Sequence, residues 1–478
     1  MTVLREAIDT SAGGDSSAVP ELSRSLRRRH VEMIAIGGII GAGLFVGSST
    51  SIATVGPAVV LSYAIAGLIV LLVMRMLSEM AVALPGVQSF PDFARIGLGH
   101  WAGFLSGWLY WYFWVVVVAI EAIAGANIIH LWLPQMPPWQ IGIVLMALLT
   151  GVNLFSTRSY GEFEFWFSSI KVAAILLFIL VCGAFLSGFF SEPGQGPRPS
   201  VNLFGTGGFM PFGGLAVLGG VTSVIFSLVG AEIATVAAAE AADGGRTVAR
   251  MTATVAGRIF LFYILSVGLI VAVVPWTTIV SGSSPFATVL DAIAIPGGAT
   301  IMNVIVLVAV LSCLNSGLYV TSRVLFALAA RGDAPAWIVA VDRRQVPMRA
   351  ILIGSLFSYG ALAASIVSPE GVFAFLVNAS GAIMLVIYLM VAVAQLRMRK
   401  QLEKEAPERL TIRMWLYPWG SLFAIVGMAG VLAAMAFTPS LRSQFYASMV
   451  AVAVAGLAFA WHARRRRFDS AREPAEAA

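Results

Sequence analysis

Three ionisable side chains stand within or beside long apolar stretches of the sequence. Glu121 lies in VVAIEAIAGAN, Lys171 lies in GEFEFWFSSIKVAAI, and Glu232 directly follows GGVTSVIFSLVGA. A charged side chain at the centre of a bilayer costs roughly 2.5 to 3.5 kcal/mol on the most lenient scale, so such residues usually carry ions, ligands or protons. All three are therefore candidates for ligand binding or proton transfer.

The residues differ in the chemistry that they suit. Burial disfavours the charged ammonium, so Lys171 is a candidate proton carrier, and the alternative is a permanent ion pair with a carboxylate. Three roles are open to Glu121: it binds a substrate ammonium, takes up a proton, or pairs with a polar group on a neighbouring helix. Glu232 is a candidate gate or proton relay. Glu79 ends an apolar stretch, where we expect a solvated or capping side chain.

The composition is that of a polytopic membrane protein. Of the 478 residues, 59% are hydrophobic and 11% are charged, and the mean hydropathy is +0.89, which excludes an ordinary soluble domain. Cys182 and Cys313 lie far apart in apolar stretches, which argues against a disulfide framework. The net charge of +6 comes from Arg residues at the ends of apolar stretches, so it indicates membrane topology and no nucleic-acid partner.

Twelve apolar stretches are long enough to cross about 30 Å of hydrocarbon. They cover 31–53, 57–79, 101–131, 139–156, 163–188, 211–238, 253–275, 298–323, 348–367, 371–396, 415–437 and 444–462. The Lys and Arg residues between them place both termini in the cytoplasm and leave only Arg198 and Arg442 on the opposite side.

This topology predicts seven parts of the chain. They are a disordered cytoplasmic tail (1–23), a first repeat of five spans (24–188), an extracellular connection (189–210), a second repeat of five spans (211–397), a cytoplasmic loop (398–414), two further spans (415–463) and a cytoplasmic tail (464–478).

Glycine-rich interruptions occur in corresponding places in spans 1 and 6. They are GGIIGAGLFVGS, from Gly37 to Ser48, and GGVTSVIFSLVGAE, from Gly219 to Glu232. Because five spans separate them, spans 1–5 and 6–10 are expected to be inverted repeats, a pattern typical of secondary transporters with broken helices at a midplane site. Non-helical backbone at this depth is tolerated where it lines a cavity, so a cavity is predicted; the alternative is that the glycines only allow close helix packing.

The two interruptions suit the opposite ends of a zwitterion. In span 1, free N–H groups of a half-helix favour a carboxylate. The residues concerned are Ile39, Gly41, Ala42 and Gly43. In span 6 the chain runs the other way, so carbonyl groups at the end of a half-helix favour an ammonium group. The residues there are Phe226, Ser227 and Val229, of which Phe226 is either a lid over the ligand or a packing residue.

Six segments of the sequence resemble the bacterial amino acid transporter branch of the amino acid–polyamine–organocation superfamily. They are LRRRHVEMIAIGGIIGAGLFVGSS, GWLYW, GEFEFWFSSIKV, SCLNSGLYVTSRVLFALAARGDAP, NASGAI and RMWLYPW. The resemblance runs from about Leu26 to the last span. Within this branch, GWLYWYFWVVVVAIEAIAGANII and QLRMRK look closest to permeases for 4-aminobutyrate.

The resemblance implies an all-α, LeuT-type fold of five plus five inverted spans with two extra helices. It implies import of a small zwitterionic amino acid together with a proton, across a bacterial cytoplasmic membrane and without a cofactor or metal. It maps the carboxylate, amine and gate sites onto the residues named above. It also places Lys171 where sodium-coupled members of the fold hold an ion. Gln88, in GVQSFPDFA, departs from the branch by replacing an expected glycine.

Three other functions compete with this prediction. A permease for another amino acid, whether aromatic, basic or small and neutral, has the same motifs. A channel also uses half-helices at membrane depth. An enzyme is disfavoured because the four histidines lie near span ends and form no HExxH pair. They are His30, His100, His130 and His462.

Overall fold

The computed structural model describes residues 40–84, 87, 89–155, 160–189, 198–230, 254–339 and 347–476, and the regular structure in these ranges is helical throughout. The prediction of an all-α protein is therefore confirmed for this part of the chain. Four predicted features lie outside the described residues: the tail 1–23, Ile39, Gln88 and Glu232.

The second part of span 1 runs almost directly into span 2. Helix α1 covers Ala42–Phe45 and α2 covers Gly47–Val55, with a single irregular residue between them. A short 3-10 turn then leads into α3, Val59–Ala83. Gly56 forms this corner with a φ of 76°, and a Cβ there would lie only 2.5 Å from Cγ of Pro211. The corner therefore requires glycine.

Thirteen further helices follow in the described ranges. They are α4 (Phe90–Leu98), α5 (His100–His130), α6 (Pro138–Phe155), α7 (Tyr160–Leu186), α8 (Pro199–Phe204), α9 (Gly213–Leu228), α10 (Thr254–Val273), α11 (Pro285–Ala292), α12 (Gly298–Ala330), α13 (Met348–Ala364), α14 (Pro369–Glu405), α15 (Trp419–Phe437) and α16 (Arg442–Glu476). Helix α10 contains a π-helical turn at Ile259–Leu265.

Each predicted span overlaps an apolar helix. By length and composition, eight of the described helical segments can cross a membrane, and the first of them, Ala42–Ala83, contains parts of both span 1 and span 2. Three shorter apolar helices, α6, α9 and α13, match spans 4, 6 and 9. The chain is thus built as a polytopic membrane protein, while the count of twelve crossings and the inverted repeat stay predictions.

Helices α5 and α14 form the centre of the protein. In each of them, 83% of the most apolar 18-residue window is buried inside the protein, against 11% for α16. Helix α5 packs against α12, α14, α6 and α13, and it also contacts α1. A charged residue in the middle of α5 therefore faces protein and not lipid.

Candidate functional site

In the described residues, the helix of span 1 begins and the helix of span 6 ends at the predicted glycines, and we call these two positions the breaks. Gly41 is extended, with φ −133° and ψ −150°, and α1 begins at the next residue. Helix α9 ends at Leu228, after which Val229 is extended, with φ −63° and ψ 147°, and Gly230 has a φ of 108°. The sequence predicts non-helical backbone in both places, and the structure has it within one or two residues of the predicted positions.

The two interrupted segments lie side by side at the same depth. The hydroxyl of Ser227 donates to the carbonyl oxygen of Gly43 over 2.6 Å, and the hydroxyl of Ser223 donates to that of Ser51 over 3.1 Å. Because Gly43 pairs with Ser227 and Ser51 pairs with Ser223, the two segments are antiparallel. Their breaks therefore face each other, as a shared site requires.

The glycines of span 1 allow unusually close contacts. A Cβ at Gly41 would lie 2.8 Å from Sγ of Cys313 and 2.9 Å from Oε1 of Glu121. A Cβ at Gly43 would lie 2.8 Å from the Cα of Ser227. All three distances are too short for carbon. Close packing therefore explains both glycines in this structure, and at position 41 it also lets a carboxylate reach the break.

Glu121 reaches from the centre of α5 to the start of α1. Its side chain is 1% exposed, and the N–H of Ala42 donates to Oε1 over 3.1 Å and to Oε2 over 3.2 Å. The side chain of Cys313, on α12, is a further hydrogen-bond partner of the carboxyl. Of the three roles open to Glu121, the structure displays pairing with a polar group, and that group is the backbone.

Lys171 extends this cluster towards α7. The side chain is fully buried, and Nζ donates to the hydroxyl of Ser312 over 3.2 Å. Ser312 precedes Cys313 on α12, and the charges of Lys171 and Glu121 interact through space. The side chains of Glu121, Lys171, Ser312 and Cys313, with the N–H of Ala42, form a polar group in the apolar interior that we call the Glu121–Lys171 cluster.

Phe226 and Val229 line the other side of the break. Phe226 is 6% exposed, and its ring centroid lies 6.4 Å from that of Phe113 on α5. A Cβ at Gly47 would also touch its ring, at 3.6 Å. Phe226 thus acts as a packing residue in this structure, in a position next to the two breaks.

Two further features mark the ends of α5. A cavity of about 510 Å³ lies at its C-terminal end, where none of the predicted site residues lines it. Its polar lining includes Asn127, His130, Ser281, Ser284, Asp291 and Glu370. At the N-terminal end, Asp333 forms an ion pair with Arg95 and contacts Nε2 of His100 over 2.9 Å. Glu121 lies between these two ends.

The expectation that Glu79 is solvated or caps a helix is wrong. Its side chain is 2% exposed and forms an ion pair with Arg399 over 2.5 Å. Its oxygens also accept from the amide of Gln395 over 2.7 Å and from the N–H of Met414 over 2.6 Å. The chain around α14 covers the end of α3, so a residue at the end of an apolar stretch is buried by another part of the fold.

Sequence reasoning missed Ser312 and Cys313 as members of the cluster. Both are small residues in an apolar helix, and only the fold brings them to residues 141 or more positions away. The one available signal was their place in the segment SCLNSGLYVTSRVLFALAARGDAP. Within the described ranges, no three His, Cys, Asp or Glu side chains are grouped as metal ligands.

Comparison with known proteins gives a consistent family. The family model described as amino acid permease matches residues 30–471. The Gamma-aminobutyric acid permease of Bacillus subtilis (strain 168) is 47% identical, over 94% of this chain and 96% of that protein. The Gamma-aminobutyric acid permease of Escherichia coli (strain K12) is 45% identical, over 89% and 91% of the two chains.

A second group of relatives carries a different substrate in its name. The aromatic amino acid transport protein AroP of Corynebacterium glutamicum is 38% identical, over 89% of this chain and 92% of that protein. The proteins of both groups cover 89–94% of this chain. The chain therefore belongs to the amino acid permease family of multi-pass membrane transporters.

Proposed function

We propose that the protein is a proton-coupled secondary transporter that imports a small zwitterionic amino acid, with 4-aminobutyrate as the best candidate. The observation that carries the proposal is the pair of facing helix breaks, joined by the hydrogen bond from Ser227 to Gly43. Broken helices of this kind form the substrate and ion sites of many secondary transporters. The substrate follows from the names of the relatives that are 45–47% identical.

The breaks supply groups for both ends of the substrate. The carboxylate would bind at Ile39, Gly41, Ala42 and Gly43. The amine would bind at Phe226, Ser227 and Val229, with Phe226 as the lid. Glu121, Lys171 and Glu232 are the candidates for charge and proton handling. The separation of the two charges of 4-aminobutyrate suits a site in which the two groups come from different half-helices.

The two ends of α5 suit alternating access. In the predicted orientation the cavity at Asn127 opens to the outside, and the ion pair between Arg95 and Asp333 faces the cytoplasm. Both chain termini then lie in the cytoplasm and the protein lies in the bacterial cytoplasmic membrane. Inward movement of one proton with a neutral zwitterion carries one charge. At about 2.3 kcal/mol per charge per 100 mV, each 100 mV supports roughly fifty-fold accumulation.

Uptake of radiolabelled 4-aminobutyrate into proteoliposomes tests the substrate and the coupling. We expect saturable accumulation that requires an inward proton gradient and is competed best by ω-amino acids. Competition by aromatic amino acids alone would favour the alternative function suggested by the AroP relatives. Transport that neither saturates nor accumulates substrate would instead indicate a channel.

Lys171→Ala tests whether the buried ammonium takes part in coupling. We expect loss of uphill uptake with some exchange retained, because exchange needs no net proton movement. Lys404→Ala is the matched control, since Lys404 is exposed at the end of α14. Proton-driven uptake at the wild-type level in Lys171→Ala would remove Lys171 from the coupling mechanism.

A further inference from the structure

The carboxylate of Glu121 occupies a backbone donor that the proposed function assigns to the substrate. The N–H of Ala42 lies 3.1 Å and 3.2 Å from its two oxygens. Ala42 and Glu121 are 79 positions apart, on helices that meet only through the tertiary fold. The backbone at the span 1 break is thus shown to bind a carboxylate, and the carboxylate is the protein's own.

The surroundings hold the Glu121 carboxyl in this position. Gly41 has no Cβ, and one would lie 2.9 Å from Oε1, so the approach depends on glycine. Among the described residues, two titratable side chains act on the carboxyl: Cys313 from α12, through a hydrogen bond, and Lys171 from α7, through space. Helix α1 contributes the Ala42 N–H.

A substrate carboxylate cannot join Glu121 at this donor while Glu121 is ionised. Two carboxylates in one buried site repel each other, and one of them takes up a proton instead. The Glu121 side chain is only 1% exposed, so the repulsion is weakly screened. Substrate binding and proton uptake therefore become one event.

We infer that Glu121 binds the coupled proton, and that this protonation frees the Ala42 N–H to donate to the carboxylate of the substrate instead. This inference rests on the proposed function, because it requires a substrate carboxylate at Ala42. The proton binds a Glu121 oxygen, the hydrogen bond from Ala42 to Glu121 breaks, and a new one forms to the substrate. On the cytoplasmic side both steps reverse.

The exchange of carboxylates also explains how the protein returns to its starting state without substrate. When substrate and proton have left, the ionised Glu121 carboxylate again accepts the Ala42 N–H, so no buried donor is left unpaired. Protonation of Glu121 adds one positive charge to the cluster, and a zwitterionic substrate adds no net charge. The step that moves substrate is then the step that responds to the membrane potential.

The pH dependence of 4-aminobutyrate binding to purified protein tests the inference. In the wild type we expect the Kd to rise tenfold per pH unit on the alkaline side, because one proton must be bound for each substrate. In Glu121→Gln, which mimics the protonated side chain, the Kd is expected to be independent of pH. Glu121→Asp is the matched control, since it keeps a titratable carboxyl and should keep a pH-dependent Kd.

An infrared difference spectrum provides a readout that needs no variant. Addition of 4-aminobutyrate to the wild type should produce the C=O band of a protonated carboxyl, which Glu121→Gln lacks. If the wild type binds substrate without this band, or if Glu121→Gln keeps a tenfold change per pH unit, the proton binds elsewhere and the inference is wrong. Either result would contradict only the assignment of the proton to Glu121, and neither would contradict transport of 4-aminobutyrate.

Failure of the proposed function gives a different pattern. A wild type that neither binds nor accumulates 4-aminobutyrate would contradict the substrate, and the same measurements with α-amino acids would then test Glu121 independently. A wild type that binds α-amino acids with no dependence on pH would overturn the inference for every substrate of this class.

Discussion

Glu79 and Glu121 are both buried carboxylates that accept a backbone N–H, but their surroundings differ. Glu79 forms an ion pair with Arg399 over 2.5 Å and accepts from Gln395, so its charge is fully compensated at short range. Glu121 has a thiol and a single backbone N–H as direct partners, and Lys171 acts on it only through space. The direct partners of Glu79 thus include a cation, whereas the direct partners that the structure describes for Glu121 are neutral.

This difference separates a structural ion pair from the group that we infer to bind the proton. Glu79 joins α3 to α14 and to the backbone before α15, so its charge holds three parts of the fold together. Glu121 joins two helices at the position where the substrate is proposed to bind. Burial alone therefore does not identify a functional carboxylate; the nature of its partners does.

The largest expected effect is on stability, from Glu79→Ala. This variant leaves the guanidinium of Arg399 and two other donors buried without Glu79, and breaking a buried pair costs about 3–5 kcal/mol. We expect a clear fall in the thermal unfolding temperature in detergent, measured by tryptophan fluorescence. Glu403→Gln is the control, because it removes the exposed partner of Arg399 and should cost less than about 1 kcal/mol. Equal effects of the two variants would contradict the comparison.

An intermediate effect on transport is expected at Gly43 and Gly41, the glycines of the span 1 break. Gly43→Ala places a Cβ 2.8 Å from the backbone of Ser227, which cannot rotate away, and overpacking of this kind costs about 1–3 kcal/mol. Uptake should fall about tenfold or more, the equivalent of about 1.4 kcal/mol. Uptake by Gly41→Ala should fall less, because the added methyl group would contact side-chain atoms of Cys313 and Glu121 and not backbone.

Gly183→Ala is the control for both glycine variants, because nothing lies within 4 Å of a Cβ at that position. It should leave uptake at the wild-type level. A Gly43→Ala variant that transports as well as Gly183→Ala would show that the two half-helices are not packed as closely as described.

The smallest effect is expected from Cys313→Ala. It removes one hydrogen-bond partner of Glu121 and leaves the Ala42 N–H in place, so uptake should change by less than about threefold, or about 0.6 kcal/mol. In a Gly41→Ala background the same change should partly restore uptake, because it removes the sulfur atom nearest to the added methyl group. Uptake by the double variant below that of Gly41→Ala would show that the thiol is needed for more than space.

The sequence predicts the helices and the breaks because both depend on local properties. Apolar length gives α5 and α6 to within a residue or two at each end, and the glycines mark the breaks at Gly41 and at Val229–Gly230. Helix α14 runs past its predicted end at 396 to Glu405, since Arg399 is held by Glu79 and Glu403 beyond the apolar stretch. Hydropathy cannot detect such an extension.

The contacts of the candidate site were beyond sequence reasoning because they join distant segments. The sequence leaves three roles open to Glu121, and it does not reveal the contact of Glu121 with Ala42. The prediction for Glu79 is wrong for the same reason, since its partners lie more than 300 positions away. Residue types thus identify the candidates, and tertiary geometry shows which groups they contact.

The contact between Gly43 and Ser227 also has a mechanical consequence. The Ser227 hydroxyl donates to the carbonyl oxygen of Gly43, and because residue 43 is glycine no side chain separates the two backbones. In the proposed transport cycle, the helices of spans 1 and 6 would therefore move together at this contact. A tilt of the pair about the contact would move its two ends in opposite directions, as alternating access between two entrances requires.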